Sequence, residues 1–308
     1  MANFYGSYIG FGSGGLAAVP GYGFTSGGDG GSDSNVIDKF AFADDSTQVD
    51  HGDLGAARKW VAGHSATDYG FTCCGQSPIT NIIQKWPFAG TGVSTSSAGT
   101  LSYSRRGCTG VSNAGDQYGY TMGGWTGSVV SGTMDVYNMA NTSGSFATAA
   151  LSSARYGSGG SESSIRGYIS GGGPQTTVDM IVFASFTTGV AERALYYSTG
   201  ETQATNSETH SYTMGGQYDS VLGSNAYDAI QKFSFADTNN ATKTGVLTRG
   251  RTYGSTFHST DYAYICGGYT PTTDTSEKLA FASDTDTTSI GTLTVSRDSS
   301  AGHQSLTL

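Results

Sequence analysis

The chain has 308 residues, a formal net charge of -9, 47 glycines, 19 tyrosines and 14 phenylalanines, with only 13% of residues charged. The acidic balance argues against a phosphate-backbone partner. The sequence has no apolar run long enough to cross a bilayer. Its opening, Met-Ala-Asn-Phe-Tyr-Gly-Ser-Tyr, lacks the basic segment and apolar core of a secretory signal. Abundant glycine and aromatic residues with little charge suit short strands joined by turns and leave scant material for amphipathic helices.

Residues 1–21 are glycine-rich yet carry Phe4, Tyr5, Tyr8, Ile9 and Phe11. They are too apolar for a free tail and are expected to dock on a neighbouring protein as an attachment arm. From Tyr22 onward one line of text recurs six times: an aromatic run ending in a glycine pair, a strand closing on Phe-Ala, a leucine, then an arginine. The runs open at Tyr22, Tyr69, Tyr118, Gly167, Ser211 and Tyr262, about 44 to 50 residues apart, which is the repeat length of a four-stranded propeller blade. Residues 22–308 therefore read as one six-bladed all-β propeller.

Within a repeat, strand a follows the arginine (Arg58, Arg105, Arg155, Arg251, Arg297) and strand b is the aromatic run. In Tyr118-Gly-Tyr-Thr-Met-Gly the large residues alternate with small ones, giving one bulky and one flat face. Strand c is the most regular, as in Ile37-Asp-Lys-Phe-Ala-Phe-Ala43; Pro87 within it predicts a bulge or a free edge in blade two. Strand d is short and built around Leu54, Leu101, Leu151, Leu195, Leu247 and Leu293. After Leu293 comes a spare strand a, Arg297 to Leu308, while the first repeat starts at strand b. The C-terminus is thus expected to fill the innermost position of blade one and close the ring.

Polar residues heading strand c (Asp38, Gln84, Asp135, Asp179, Gln231, Glu277) are followed 20 or 21 residues later by Arg58, Arg105, Arg155, Thr199, Arg251 and Arg297. Each is expected to pair with that following arginine as a strut at a blade corner. Blade four, with Asp179 but Thr199, marks a lapse. Function is sought in the b-to-c loops, which differ most between blades and carry Trp125, Tyr218, Tyr227 and Tyr269 with Asp33, Asp219 and Asp274 as acceptors. The five histidines are scattered, and His64, His303 and Glu162 form the one metal constellation worth naming, outweighed by the polar habit of a strands. The four cysteines lack metal spacing and read as packed thiols. No catalytic residue, metal or cofactor is expected.

The pattern Gly-Tyr-x-x-Gly-Gly, then Ile-Asp-Lys-Phe-x-Phe-Ala, then Gly-x-Leu-x-x-x-Arg, resembles the kelch repeat over residues 22–308, with leucine where kelch repeats place a tryptophan in strand d. This variant is similar to kelch-like repeats of virion and tail-fibre-associated proteins of marine and cyanobacterial bacteriophages. That resemblance implies a non-enzymatic virion structural protein, assembled in the host cytoplasm without a signal peptide and present in multiple copies. Its N-terminal arm would join other virion proteins, and its loop face would recognise host-surface glycan, with neither nucleic acid nor membrane insertion involved. The alternatives are a kelch-like enzyme acting on sugars, of mutarotase type, and an intracellular protein-binding scaffold.

Overall fold

The computed structural model describes residues 21–141, 145–188, 191–218 and 226–305. Six sheets, each of four principal antiparallel strands and two of them extended by a short fifth, are arranged as propeller blades, and in all but the first the strands run outward in chain order. Blade two, for example, consists of Ala62–Ser65, Tyr69–Cys73, Thr80–Pro87 and Ser96–Arg105. Blade one takes its innermost strand, Ala301–Ser305, from the far end of the chain, pairing antiparallel with Tyr22–Ser26 so that His303 lies opposite Phe24. The ring closes as the phase of the repeat requires.

The flat face of strand b has a direct steric cause. A Cβ on Gly119 would sit 2.6 Å from the Tyr137 ring, and one on Gly70 would sit 2.3 Å from Trp86, so only glycine lets the strand c aromatic lie across its neighbour. The bulky face points the other way. Tyr120 and Met122 of blade three are fully buried against Ile169, Ile181 and Phe183 of blade four. Each of the six blade-to-blade interfaces holds one such hydrophobic cluster. A fully buried side chain of this size contributes about 1.5–3 kcal/mol, so the core is a set of radial wedges, not a centre.

Strand c shifts register near its polar head in every blade, for instance between Ile37 and Asp38 and between Met134 and Asp135. This bulge belongs to the repeat. Pro87 does not cause it; it ends its strand opposite Tyr69, beyond the reach of the outer strand, where a missing N–H costs no ladder bond.

The carboxylates do pair with arginines, but not with the expected ones. Asp135 binds Arg105, Asp179 binds Arg155 at 3.0 Å, Glu277 binds Arg251, and Asp38 binds Arg297 at 3.0 Å. The predicted pairs Asp38 with Arg58, Asp135 with Arg155 and Glu277 with Arg297 are therefore displaced by one blade. The reason is topological: the arginine leads into the inner strand of the next blade and meets that blade's acid. The same carboxylate also accepts the N–H and hydroxyl after the leucine of the preceding blade, as from Ser152 to Asp179 (2.8 and 2.6 Å) and Thr294 to Asp38 (3.1 and 2.6 Å). Each clasp thus ties two blades. Blade five replaces it with neutral Thr199 and Gln231, and blade two opposes Arg58 with Gln84, so that Arg58 forms no ion pair among the described residues and donates to the Cys74 carbonyl at 3.4 Å.

Candidate functional site at the channel mouth

Two residues beyond each arginine position stand Trp60, Gly107, Gly157, Glu201, Tyr253 and Ser299, all left-handed, with φ between 53° and 65°. That conformation costs a non-glycine residue about 1–2 kcal/mol. It turns the backbone so that neighbouring blades bond to one another: Trp60 N–H to Ser299 O (2.8 Å), Gly107 to Trp60 (2.9 Å), Gly157 to Gly107 (3.0 Å), Tyr253 to Glu201 (3.0 Å) and Ser299 to Tyr253 (2.8 Å). Thr202 N–H completes this collar by donating to Gly157 O at 3.2 Å.

The side chains that break six-fold symmetry gather on this collar. Trp60 and Tyr253 stack with centroids 6.2 Å apart, and the Arg106 guanidinium lies 3.9 Å above the Trp60 ring. Burial holds the Glu201 carboxyl above its ordinary range, partly offset by a hydrogen bond from Tyr253. Its Oε2 is buried with no hydrogen-bond partner among the described residues. These residues have no signature in the sequence because they sit in the d-to-a connection; the only signal is their place one or two residues beyond the arginine position of the repeat.

Two of the predicted residues border the collar directly. Trp125 exchanges backbone hydrogen bonds with Arg106 (2.8 and 3.0 Å), and Tyr269 does so with Thr252 (2.8 and 3.1 Å). Asp33 is no free acceptor: Lys59 sits 3.5 Å from it and 2.5 Å from Asp29, so this turn is tied to the mouth. Asp274 lies half-buried to one side, its carbonyl taking the Leu293 N–H at 2.8 Å. Tyr218 and Tyr227 pack on each other at the rim of blades four and five. Asp219 and the arm residues Phe4, Tyr5, Tyr8, Ile9 and Phe11 lie outside the described residues.

Below the collar the inner strands press backbone against backbone. A Cβ on Gly110 would come within 2.1 Å of Gly63 O, and one on Gly302 within 2.0 Å of Thr256 O. Deeper still, Ser65, Ser112, Glu162, Asn206, His258 and Gln304 form a polar ring in which side chains accept N–H groups of adjacent blades, as from Ser65 to Ser112 Oγ (2.9 Å) and Glu162 to Asn206 Oδ1 (3.1 Å). Glu162 is the acidic exception; burial pushes its carboxyl up to about 7, against a hydrogen bond from the Ser112 backbone. The cavity running through these rings measures about 90 Å³, well below the roughly 300–1,000 Å³ of small-molecule pockets.

The histidines are spent on structure. His64 reaches Tyr120 O at 3.0 Å, while His303 bridges His64 O (3.1 Å) and Ser26 Oγ (2.9 Å). Burial pushes His64 and His258 down to about 4 and His303 to about 3. Among the described residues no group of three or more His, Cys, Asp or Glu is placed to hold a metal. All four cysteines are free and buried, and burial pushes Cys73 up to about 12 and Cys266 to about 11.

No protein-family model and no curated protein matches the sequence. The backbone resembles that of YjhT. That solved structure of a propeller protein matches at a TM-score of 0.68 and 13% identity, covering 81% of this chain and 88% of its own. At that identity the likeness to YjhT establishes the β-propeller architecture and carries over no residue of the mouth.

Proposed function

We propose that this chain is a non-enzymatic binding disk of a bacteriophage particle, which holds host-surface glycan or another virion protein on the face where its channel opens. The observation that carries this reading is where the six repeats diverge. Four blades keep the charged clasp, five keep the glycine pair and all six keep a wedge core, whereas the residues that follow are Asp29, Gln76, Trp125, Gly173, Gln217 and Tyr269, all on one face. A rigid scaffold with divergent loops at one end is the arrangement that recognition uses. The phage assignment rests on the likeness of the repeat text to virion kelch-like proteins. Mass spectrometry of purified particles tests it: the protein is expected in stoichiometric copies, and its absence from particles refutes the reading.

One observation favours a second reading, a propeller enzyme acting on sugars. Glu162 carries a carboxyl poised near neutrality, which suits acid–base chemistry. It sits in a channel too narrow for a pyranose ring, so that reading requires the channel to widen. Turnover of a sugar that is lost in Glu162→Gln would support it over the disk.

A further inference from the structure

The site lapse at blades four and five has a structural counterpart. Three departures from the repeat meet there: Thr199 replaces the clasp arginine, Gln231 replaces the clasp acid, and Tyr196-Tyr197 follows Leu195 where the other blades place Gly55, Ser102, Ser152, Thr248 and Thr294. In the other clasps the residue directly after the leucine donates its N–H to the acid. Here the donor has slipped by one, from Tyr196 to Tyr197, whose N–H meets Gln231 Oε1 at 2.6 Å. The slip turns Tyr196 out to solvent and tucks Tyr197 onto Tyr227.

The result is a line of four tyrosine rings. Tyr196 stands perpendicular to Tyr197 at 4.7 Å, Tyr197 stacks on Tyr227 at 5.3 Å, and Tyr227 packs against Tyr218 at 5.6 Å. The inner two are half-buried while the outer two are open, with Tyr196 59% and Tyr218 48% exposed. Leaving two aromatic rings in water gains the blade nothing in stability. Among the described residues no lysine or arginine lies over any of these four rings, in contrast to the mouth, where Arg106 covers Trp60. Uncharged rings with hydroxyl tips offer flat apolar faces for sugar C–H groups and polar edges for their hydroxyls.

We infer that Tyr196, Tyr197, Tyr218 and Tyr227 form a binding site for a neutral polysaccharide at the rim between blades four and five. The inference rests on the binding-disk reading and narrows it to one rim and one ligand class. The test is native affinity electrophoresis of the full chain through gels containing dextran, laminarin, galactomannan or the acidic polymer alginate. Retardation by at least one neutral polymer is expected. Tyr196→Ala and Tyr218→Ala should each weaken it about tenfold, with melting temperatures unmoved because both rings are exposed. Ile165→Ala, an apolar side chain 64% exposed outside every site described, should leave it intact.

Retardation by alginate alone, or retention of neutral binding in both tyrosine variants, overturns the inference. Loss of binding in Trp125→Ala but not in the tyrosine variants also overturns it, while leaving a glycan-binding disk standing. Tyrosine-dependent binding to a protein of the host surface without any polysaccharide binding overturns the ligand class. Presence in virions is read separately, so its failure cannot be confused with these results.

Discussion

Glu277→Gln changes the shape of nothing and the charge of one group, which makes it the sharpest probe of the inter-blade clasps. Two rigid donors meet this carboxylate: the Thr248 N–H reaches Oε2 at 2.8 Å, and the Arg251 guanidinium reaches Oε1. The Thr248 and Thr287 hydroxyls can rotate, but those two cannot. Either orientation of a glutamine amide therefore turns its NH2 against one of them, and Arg251, fully buried, loses its counter-charge. Breaking a buried pair by removing one partner costs about 3–5 kcal/mol. With an unfolding entropy of about 0.65 kcal/mol/K for 308 residues, that is a drop of roughly 5–8 °C in melting temperature. The double variant Glu277→Gln, Arg251→Thr reproduces the neutral pair that blade five already uses, leaving a single rigid donor. It forfeits the Arg251 bonds to Gly267 O (2.9 Å) and Thr275 O (3.0 Å), so recovery is partial. Thermal unfolding of wild type, both single variants and the double closes the cycle, with a favourable coupling of at least about 2 kcal/mol expected. Additive single-variant effects would refute the clasp.

Other outcomes follow from the same geometry. His64, His258 and His303 have folded pKa values of about 4, 4 and 3, below the roughly 6.5 of the unfolded chain, so the unfolded state binds more protons and stability falls as pH drops from about 6.5 towards 4. Glu162, raised to about 7, opposes this between about 4.5 and 7, because there the folded state holds the extra proton. Glu162→Gln should steepen the acid loss by as much as one proton, about 1.4 kcal/mol per pH unit; a melting curve series with unchanged slope contradicts this. Gly110→Ala, whose Cβ would meet Gly63 O at 2.1 Å, should prevent ring closure and yield insoluble protein or a melting temperature at least about 5 °C lower. Gly115→Ala, with its nearest neighbour at 3.6 Å, should melt like wild type. Ellman's reagent should find no fast-reacting thiol in the folded protein and four after unfolding in denaturant; any prompt native reaction would show that the cysteines are not sealed.

The architecture was legible because a blade writes its own period. Tyr22 opening the first repeat at strand b and Arg297 opening an unfinished last one were enough to place Ala301–Ser305 inside blade one. The clasp residues were visible too, but their partners were not. Spacing along the chain puts Asp135 nearer Arg155, whereas wrapping around the ring delivers Arg105, and no linear distance reports that step. The mouth was hidden for a different reason. Trp60, Arg106, Glu201 and Tyr253 lie on connections with no periodic signature, and what unites them is a left-handed turn that glycine supplies in two blades and strained residues supply in four. At the rim, Tyr218 and Tyr227 were picked for their loop, while Tyr196 and Tyr197 went unnoticed because they lie on an outer strand after a leucine that looks like the other five.

The route by which blade one is completed sets a schedule for synthesis. Its three outer strands leave the ribosome among the first, yet Phe24 and Ser26 gain their inner neighbours only when His303 emerges. An arc not yet closed has the unpaired inner edge of Tyr22–Ser26 at one end and a bare blade face at the other. Folding intermediates should therefore carry a chaperone-dependent hazard that vanishes in one final step, when the arc becomes a ring.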